Sequence, residues 1–371
     1  MSESRKPVLS AVRTVVVKLG SQLLTDPGGR LDVAFLGTVA KQVAALRERG
    51  IRVTIVSSGA ITAGVAELSL DRRPTDLARL QAVAAVGQRR LMDTWADAFE
   101  PHGLPVAQLL LTREDIDDRT RFLNVRNTVH AAHELGVVSI INENDTISTD
   151  ELVKITFGDN DILAAMVAAA LRADLLVLLT VVDGLLDEHQ QPVRLVESVE
   201  QARALVRAEK SALGKGGMNS KLEAARMVTD AGEAMAVANG RDPEVLIRLI
   251  DGEDVGTLFA PSPKKRSSRS RWIGAVRPAG SIVVDDGAVK ALLEKHRSLL
   301  PAGIVRVVGH FEPGDVVSIV SAAGAEIARG LCNYTAADVE RIRGKKTSDV
   351  RQMLGEAAYD EVVHRNNLVV C

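Results

Sequence analysis

Short apolar runs alternate with longer segments of helical spacing between residues 14 and 260, and this alternation limits the fold more than any other feature. The helical segments are residues 32–49, 76–99 and 120–135. The predicted strands, several of them apolar almost throughout, are residues 14–19, 53–57, 106–111, 137–141, 175–182 and 234–238. Strand and helix in alternation predict an α/β fold, with a mainly parallel sheet sandwiched by helices and with right-handed crossovers.

The pattern changes near residue 260. Residues 261–271 are polar and basic and contain two prolines, a composition that cannot build a core. Beyond them, Gly and Pro separate short segments that predict a small, mostly β domain, with strands at residues 280–284, 304–308, 315–320 and 327–331. We expect four parts: a large domain at 1–262, a linker at 263–278, a small domain at 279–357 and a C-terminal tail at 358–371.

Composition gives no sign of a membrane or nucleic-acid protein. The 371 residues are 46% hydrophobic and 25% charged, with a formal net charge of −2, so overall charge attracts neither partner. The longest apolar run, residues 162–171, is half of the ~20 residues that a bilayer span needs. Residues 1–6 are polar and do not resemble a leader, and Cys332 and Cys371 have neither metal-binding nor disulfide-framework spacing. We therefore expect a cytoplasmic protein.

The first apolar run ends near Lys18, which is followed by Gly20 and Ser21. The carboxyl edge of a parallel sheet is where α/β proteins bind ligands. A lysine there places a positive charge beside a phosphate, and a glycine lets backbone amides approach it closely. A lysine that simply leaves the core for solvent explains this motif equally well.

The second run leads into Ser57, Ser58, Gly59 and Ala60 at the predicted start of a helix. Small residues with exposed amides at a helix N-terminus form an anion site. A simple serine cap is the more common explanation of such a stretch.

Asp, Glu and Asn side chains crowd two short loops. Residues 142–145 (Asn-Glu-Asn-Asp) follow a strand, and residues 158–161 (Gly-Asp-Asn-Asp) precede an apolar helix. Such groups bind amino groups, coordinate Mg²⁺ or orient lysines, but they are also common in turns and caps. Because two such loops adjoin neighbouring strand ends, a functional role is favoured.

A glycine-rich segment, residues 214–221 (Gly-Lys-Gly-Gly-Met-Asn-Ser-Lys), precedes a helix predicted at 222–230. This pattern suits phosphate binding, although a mobile surface loop is the alternative. Lys221 in the first turn is unfavourable for a cation, and a bound anion would resolve that misfit. The sequence has no Walker loop, Gly-x-Gly-x-x-Gly, His-Glu-x-x-His or Gly-x-Ser-x-Gly motif, which favours positioning and electrostatics over covalent catalysis.

These four motifs, in this order, resemble the amino-acid kinase family, and within it the branch that phosphorylates glutamate. The similarity covers essentially the whole chain; further matching stretches are residues 80–88, 108–113, 121–124 and 255–259. The pair Asn-Glu-Asn-Asp and Gly-Asp-Asn-Asp is its most specific part. Residues 279–357 resemble a PUA domain, a small β fold found in RNA-modifying enzymes.

The resemblance implies that ATP and L-glutamate give L-glutamyl 5-phosphate and ADP with Mg²⁺, the first step of proline biosynthesis. It also implies feedback inhibition by proline and a homo-oligomer, either a dimer or a tetramer. Because the acyl phosphate product is labile, a glutamyl phosphate reductase is an expected partner.

The resemblance also implies roles for individual residues. Lys18 and Lys221 correspond to the lysines that neutralise the phosphoryl group in transfer, and Asp161 to the carboxylate that orients them. The expected substrate-binding residues are Ser58, Gly59, Ala60, Asp145, Asp159 and Asn160. The expected nucleotide-binding residues are Lys18, Thr180, Val181, Lys215, Gly216, Gly217, Met218, Asn219, Ser220 and Lys221. No protein metal ligand is expected.

Two departures from the family pattern lie beside the expected nucleotide site. Val181 stands where the family commonly has Asp after Thr or Ser, and Leu186 stands in place of the usual Tyr. The polar contact is then either missing or supplied by Asp183. Our hypothesis is that Lys215, an additional cation, partly substitutes for it.

Two alternatives remain at this point. One is a related amino-acid kinase that acts on carbamate, aspartate or acetylglutamate, against which the Asn-Glu-Asn-Asp motif and the C-terminal domain argue. The other is an RNA-binding protein that uses the PUA-like domain, the basic residues 264–271 and the basic residues between 341 and 346. Solvated surface charge is the more common explanation of those residues, and the domain has little aromatic surface for stacking bases.

Overall fold

The computed structural model describes residues 5–147, 160–187, 189, 191–208, 217–262, 267–354 and 359–370. The chain divides into two compact units, Met1–Arg266 and Ser267–Cys371. We call them the large unit and the small unit. The division falls within the linker segment that the sequence indicated.

The large unit is built on one sheet whose strand order is β3-β4-β2-β1-β5-β7-β8-β6. Its strands are β1 (Thr14–Leu19), β2 (Arg52–Val56), β3 (Val106–Leu111), β4 (Val138–Glu143), β5 (Leu175–Thr180), β6 (Leu195–Val196), β7 (Ala234–Asn239) and β8 (Thr257–Phe259). All pairs are parallel except β7 with β8. The mainly parallel sheet predicted from the sequence is confirmed.

Register brings three strand ends to one place. Lys18 pairs with Val56 on one side and with Leu178 on the other, so β1, β2 and β5 end together. The backbone amide of Gly20 then donates to the carbonyl of Leu179 at 3.2 Å. The loops that follow these strands therefore share one edge of the sheet, where ligands bind in parallel α/β folds.

Helices cover the sheet of the large unit. They are α1 (Arg5–Ser10), α2 (Val33–Glu48), α3 (Ala60–Glu67), α4 (Leu77–Phe99), α5 (Arg113–Asp117), α6 (Arg119–Glu134), α7 (Asp161–Leu171), α8 (Val199–Ala208), α9 (Gly217–Asp230) and α10 (Val245–Ile250), with a 3₁₀ turn at Glu100–His102. Asp side chains cap α2, α4 and α6. Helix α7 is buried on nearly all sides, which its run of alanines permits.

Helices α3 and α4 touch through their backbones. A Cβ atom on Gly64 would lie 1.9 Å from the carbonyl oxygen of Val83, and one on Gly87 would lie 1.8 Å from that of Ala60. Only glycine fits at either position. Because Ala60 begins α3, this contact fixes the turn through Gly59, whose φ of 94° also requires glycine.

The small unit has its own sheet, with strand order β10-β9-β11-β12-β13, and its own hydrophobic core. Its elements are α11 (Ser268–Ala275), β9 (Gly280–Val284), α12 (Asp286–Leu293), a 3₁₀ turn at Pro301–Gly303, β10 (Ile304–Gly309), β11 (Val316–Ser321), β12 (Glu326–Cys332), α13 (Ala336–Ile342), α14 (Thr347–Leu354) and β13 (Val363–Val370). The small, mostly β unit predicted from the sequence is confirmed.

Two segments of the small unit differ from the expectation. Strand β13 lies where the sequence indicated a tail. Polar residues interrupt its apolar pattern, so the sequence alone does not indicate a strand. The strand forms by antiparallel pairing with β12. Helix α11 lies where the sequence indicated a linker. Ser267 caps it, and Trp272 and Ile273 are buried. The basic residues that precede these two in the sequence had indicated a linker. In the described parts of both units, no helix is long and apolar enough to cross a membrane.

Candidate active site

A carboxylate held between two lysines lies at the shared edge of the large sheet. The Lys18 Nζ atom is 2.7 Å from Oδ1 of Asp161, and the Lys221 Nζ atom is 3.0 Å from Oδ2. The hydroxyl of Ser220 also donates to Oδ2 at 3.0 Å. The structure thus brings together the three residues that the sequence indicated as catalytic.

Each of these side chains is positioned by a different element. Lys18 lies near the end of β1, Asp161 is the first residue of α7, and Lys221 lies on α9. Helix α9 begins at Gly217 rather than at residue 222, so Lys221 follows the first turn instead of lying within it. The prediction that Lys221 lies unfavourably in the first turn of this helix is therefore wrong. What orders this ammonium group is its ion pair with Asp161.

Burial makes this cluster electrostatically important. The exposed fractions of the side chains are 2% for Lys18, 0% for Asp161 and 11% for Lys221. Burial by itself raises the pKa of the Asp161 carboxyl, but the two ammonium groups together outweigh it and hold that pKa below its ordinary value. Two cations and one anion leave a net positive charge, which suits an incoming anion.

A chain of side-chain amides lies next to the lysine cluster. The Nδ2 group of Asn160 donates to the Ser57 carbonyl at 2.6 Å, to the Ser58 hydroxyl at 3.0 Å and to Oδ1 of Asn142 at 2.9 Å. The Nδ2 group of Asn142 donates in turn to Oε1 of Gln88 at 2.9 Å. This network assigns the amide orientation of Asn160: its NH₂ group is committed to protein acceptors.

A buried tryptophan hydrogen-bonds to the turn after β2. The indole N–H of Trp95 donates to the Ser57 hydroxyl at 3.2 Å, and that hydroxyl donates to the Ser58 carbonyl at 3.2 Å. Trp95 is fully buried and stacks on Phe99 at a centroid distance of 5.8 Å. The position of Ser58 therefore depends on the packing of α4.

A cavity of about 170 Å³ opens beside the amide chain. It is smaller than the roughly 300–1,000 Å³ of pockets that hold drug-sized ligands, and it therefore suits a small molecule. Its lining includes most of the predicted substrate residues, together with a backbone turn. The lining residues are Ser21, Ser58, Gly59, Ala60, Ile61, Thr62, Arg73, Asn142, Asp145 and Asn160.

Two of the predicted nucleotide residues, Thr180 and Val181, lie at the carboxyl end of β5. Thr180 ends β5, and its carbonyl accepts the amide of Gly240 at 2.8 Å. Val181 and Val182 follow it and are each 42% exposed. Asp183 accepts a hydrogen bond from Asn239 Nδ2 at 2.9 Å, which occupies one oxygen of the group suggested to replace the missing aspartate.

Further predicted nucleotide residues lie on α9. Gly217, Met218, Asn219 and Ser220 form its first turn, with Asn219 exposed. Three of the predicted site residues lie outside the described residues: Asp159, Lys215 and Gly216. The hypothesis about Lys215 therefore stays a prediction.

Sequence reasoning missed three residues of the site. Gln88 ends a stretch that carried the family resemblance, but nothing indicated that its side chain supports Asn142. Trp95 has the pattern of an ordinary core residue of an amphipathic helix. Arg73 lies between two helices, where no periodicity indicates a direction for the side chain.

Comparison with known proteins identifies the family of this chain. The model of the Amino acid kinase family matches residues 13–239, and that of the PUA domain matches residues 280–354. The chain belongs to the amino acid kinase family.

Within that family, curated relatives named glutamate 5-kinase match along the full chain. The relative from Chromohalobacter salexigens is 45% identical and covers 100% of both chains. Those from Thermus thermophilus and Geobacter sulfurreducens are each 44% identical, covering 98% and 99% of this chain and 99% and 100% of their own. The resemblance to the glutamate-phosphorylating branch is thereby confirmed. Among solved structures, a carbamate kinase from Giardia lamblia bound to AMP-PNP has a TM-score of 0.49 and 18% identity, covering 68% of this chain and 100% of that chain.

Proposed function

We propose that this protein transfers the γ-phosphoryl group of ATP to the side-chain carboxylate of L-glutamate, giving L-glutamyl 5-phosphate and ADP. The observation that carries the proposal is the buried cluster of Lys18, Asp161 and Lys221 beside a cavity of amino-acid size. Full-length relatives named glutamate 5-kinase support the choice of substrate.

The chemistry matches what the cluster supplies. A carboxylate oxygen of glutamate attacks the γ-phosphorus, and the bond from phosphorus to the β,γ-bridging oxygen breaks as ADP leaves. The attacking carboxylate is already ionised at neutral pH, so no general base is needed. Because two anions must approach each other, the main requirement is for positive charge over the phosphoryl group. Lys18 and Lys221 supply that charge, and Asp161 holds both ammonium groups in place.

The glutamate carboxylate reaches the phosphoryl group from the cavity. Asn160 adjoins Asp161 in the chain and lines the cavity. Because its NH₂ group is held by protein acceptors, its Oδ1 atom is the one left to accept a hydrogen bond at the buried end of the cavity. Asp145 offers a carboxylate to the substrate ammonium group. Ser58 and the turn at Gly59 and Ala60 offer a hydroxyl and backbone amides to a substrate carboxylate.

The nucleotide lies between the end of β5 and the start of α9 in this proposal. Thr180 and residues 215–221 contact it, while Val181 offers exposed apolar surface where the family commonly has a carboxylate. Mg²⁺ enters as part of the substrate MgATP, since phosphate oxygens and water are its preferred ligands. In the described parts of the chain, no group of three or more His, Cys, Asp or Glu offers a further metal site.

Further expectations from the family remain proposals. They are a kinase domain at 1–262 and a PUA domain at 279–357, a cytoplasmic location, a dimer or tetramer, inhibition by proline, and delivery of the product to a reductase. RNA binding is not favoured. In the small unit, Arg341 and Arg343 each form an ion pair with a carboxylate of α13, at 3.1 Å and 2.6 Å. Such pairing reduces the charge available to RNA phosphates.

The direct test is ADP release by the purified protein with MgATP, with and without L-glutamate. Hydroxylamine traps an acyl phosphate as a hydroxamate. We expect ADP and hydroxamate that both depend on glutamate, and we expect neither from the Lys221→Ala variant. A folded wild-type protein that shows no glutamate-dependent turnover would overturn the proposal, and aspartate, carbamate and acetylglutamate would then be assayed in the same way.

A further inference from the structure

The substrate cavity has a buried end and an exposed end. Asn142 is 2% exposed, and with Asn160 it forms the end next to Asp161. Arg73 lines the same cavity but is an exposed residue, so it lies at the rim. Because the group that reacts must face the lysine cluster, the other end of the substrate faces the rim.

The charges around the cavity are few and opposite. Among its described lining residues, Asp145 is the acidic side chain and Arg73 is the basic one. The end of glutamate that does not react carries one ammonium and one carboxylate group. One anion and one cation on the protein complement this pair, and Asp145 can bind only the ammonium group.

We propose that Arg73 is a specificity-determining residue that binds the α-carboxylate of the amino-acid substrate. This inference rests on the proposed function. A guanidinium group presents parallel N–H donors that match a carboxylate, which makes arginine the residue best suited to this task. Two basic residues further along the chain are paired with carboxylates, Arg79 with Asp76 and Arg90 with Glu67. No carboxylate of the described residues forms an ion pair with Arg73.

The competing arrangement places the α-carboxylate on backbone amides at the start of α3. In that case Arg73 is a solvated loop residue and its charge is irrelevant to substrate choice. The two arrangements predict different effects of removing the guanidinium charge, because only the first loses an interaction specific to a carboxylate.

The chain offers a matched control, since Arg72 precedes Arg73, is also exposed and does not line the cavity. The experiment compares the wild type with Arg73→Gln, Arg73→Lys and Arg72→Gln. Each enzyme is assayed for ADP release with L-glutamate and with L-isoglutamine, in which a neutral amide replaces the α-carboxylate and the reacting side-chain carboxylate is retained.

We expect Arg73→Gln to raise the KM for L-glutamate about tenfold, as loss of a charge-assisted hydrogen bond at the exposed rim should. The kcat and the KM for ATP should change less than about twofold on the same reasoning. The kcat/KM for L-isoglutamine should also change less than about twofold from the wild-type value. The preference of the variant for L-glutamate over L-isoglutamine therefore falls about tenfold. Arg73→Lys should recover part of the loss because it keeps the charge, and Arg72→Gln should match the wild type.

Two results would overturn the inference. One is a KM for L-glutamate in Arg73→Gln that equals the wild-type value. The other is an equal loss for both substrates, which would mean general damage to the cavity. A wild-type enzyme without glutamate-dependent turnover would instead overturn the proposed function, and this inference with it. Thermal unfolding of each variant confirms that the proteins compared are folded.

Discussion

The ammonium group of Lys18 lies 2.7 Å from the carboxylate of Asp161, and both side chains are almost completely buried. Lys18 lies near the end of a central strand, and Asp161 is the first residue of a helix much later in the chain. The pair thus joins β1 to α7 at the edge where the cavity opens. Its removal should affect both stability and catalysis, and these effects can be separated.

Asp161→Asn should lower kcat about 100-fold or more, because both ammonium groups lose the anion that positions them. It should also destabilise the protein without ligand by about 3 kcal/mol, since the buried lysines keep their charge but lose this carboxylate. MgATP supplies negative charge at the same place, so it should raise the Tm of the variant more than that of the wild type. Equal shifts in Tm would contradict this account.

The control for this experiment is Asp76→Asn. Asp76 caps α4 at an exposed position, and asparagine caps a helix as well as aspartate does. Activity and Tm should both stay at wild-type values. The measurements are steady-state kinetics and thermal unfolding with and without MgATP.

Gln88 should act as a positioning residue for the substrate. Its Oε1 atom accepts from Asn142, which accepts from Asn160, and Gln88 itself is buried below the cavity. Gln88→Leu removes the acceptor, so the amide chain loses its fixed orientation. We expect the KM for L-glutamate to rise about tenfold while the KM for ATP stays unchanged, as loss of one buried hydrogen bond suggests.

Gln88→Glu provides the rescue in the same assay, because it keeps an oxygen that can accept from Asn142. It should restore part of the affinity for L-glutamate that the leucine variant loses. If Gln88 has a purely structural role, the KM for L-glutamate and the KM for ATP would change together in both variants.

The sheet and the lysine cluster could be predicted from the sequence, whereas the supports of the cavity could not. Buried parallel strands are apolar throughout, which predicted the sheet. The resemblance to the amino-acid kinase family indicated Lys18, Asp161 and Lys221 as one site. The Gln88 side chain and the Trp95 indole act through hydrogen bonds to residues far away in sequence. Helical periodicity reports burial but not hydrogen-bond partners, and the same limit concealed β13, whose order comes from pairing with β12.

Gly87→Ala should destabilise the large unit by about 3 kcal/mol, because the added methyl group would overlap the Ala60 carbonyl at the start of α3. The strain acts on the turn that carries Ser58, so the KM for L-glutamate should also rise. Gly37→Ala is the matched control. Gly37 lies within α2, and a methyl group added there would meet no atom of another element within 4 Å, so alanine should stabilise the protein by about 0.5–1 kcal/mol. Chemical denaturation of the two variants measures both signs; a tolerated Gly87→Ala would contradict the backbone contact.

His133 should make stability depend on pH between about 4 and 6.5. Its ring lies 3.0 Å from the Thr54 hydroxyl, and it connects α6 to β2. Burial, followed by the charge of Arg52, lowers the pKa of His133 to about 4. The folded protein therefore keeps this ring neutral where the unfolded chain, with its ordinary pKa of about 6.5, has already bound a proton.

The sign of the effect follows from proton uptake. Between these two pKa values the unfolded state binds one more proton at this site, so stability falls as pH decreases through 6.5 and continues to fall until about 4. His133→Gln cannot be protonated, so its urea midpoint should fall less than that of the wild type between pH 7.5 and 5. The variant His102→Gln, at an exposed position outside this contact, should follow the wild-type pH dependence. Because the wild type and His133→Gln share every other titrating group, the difference between their pH profiles isolates His133. Parallel pH profiles for all three proteins would show that the buried ring is protonated as readily in the folded protein as in the unfolded chain.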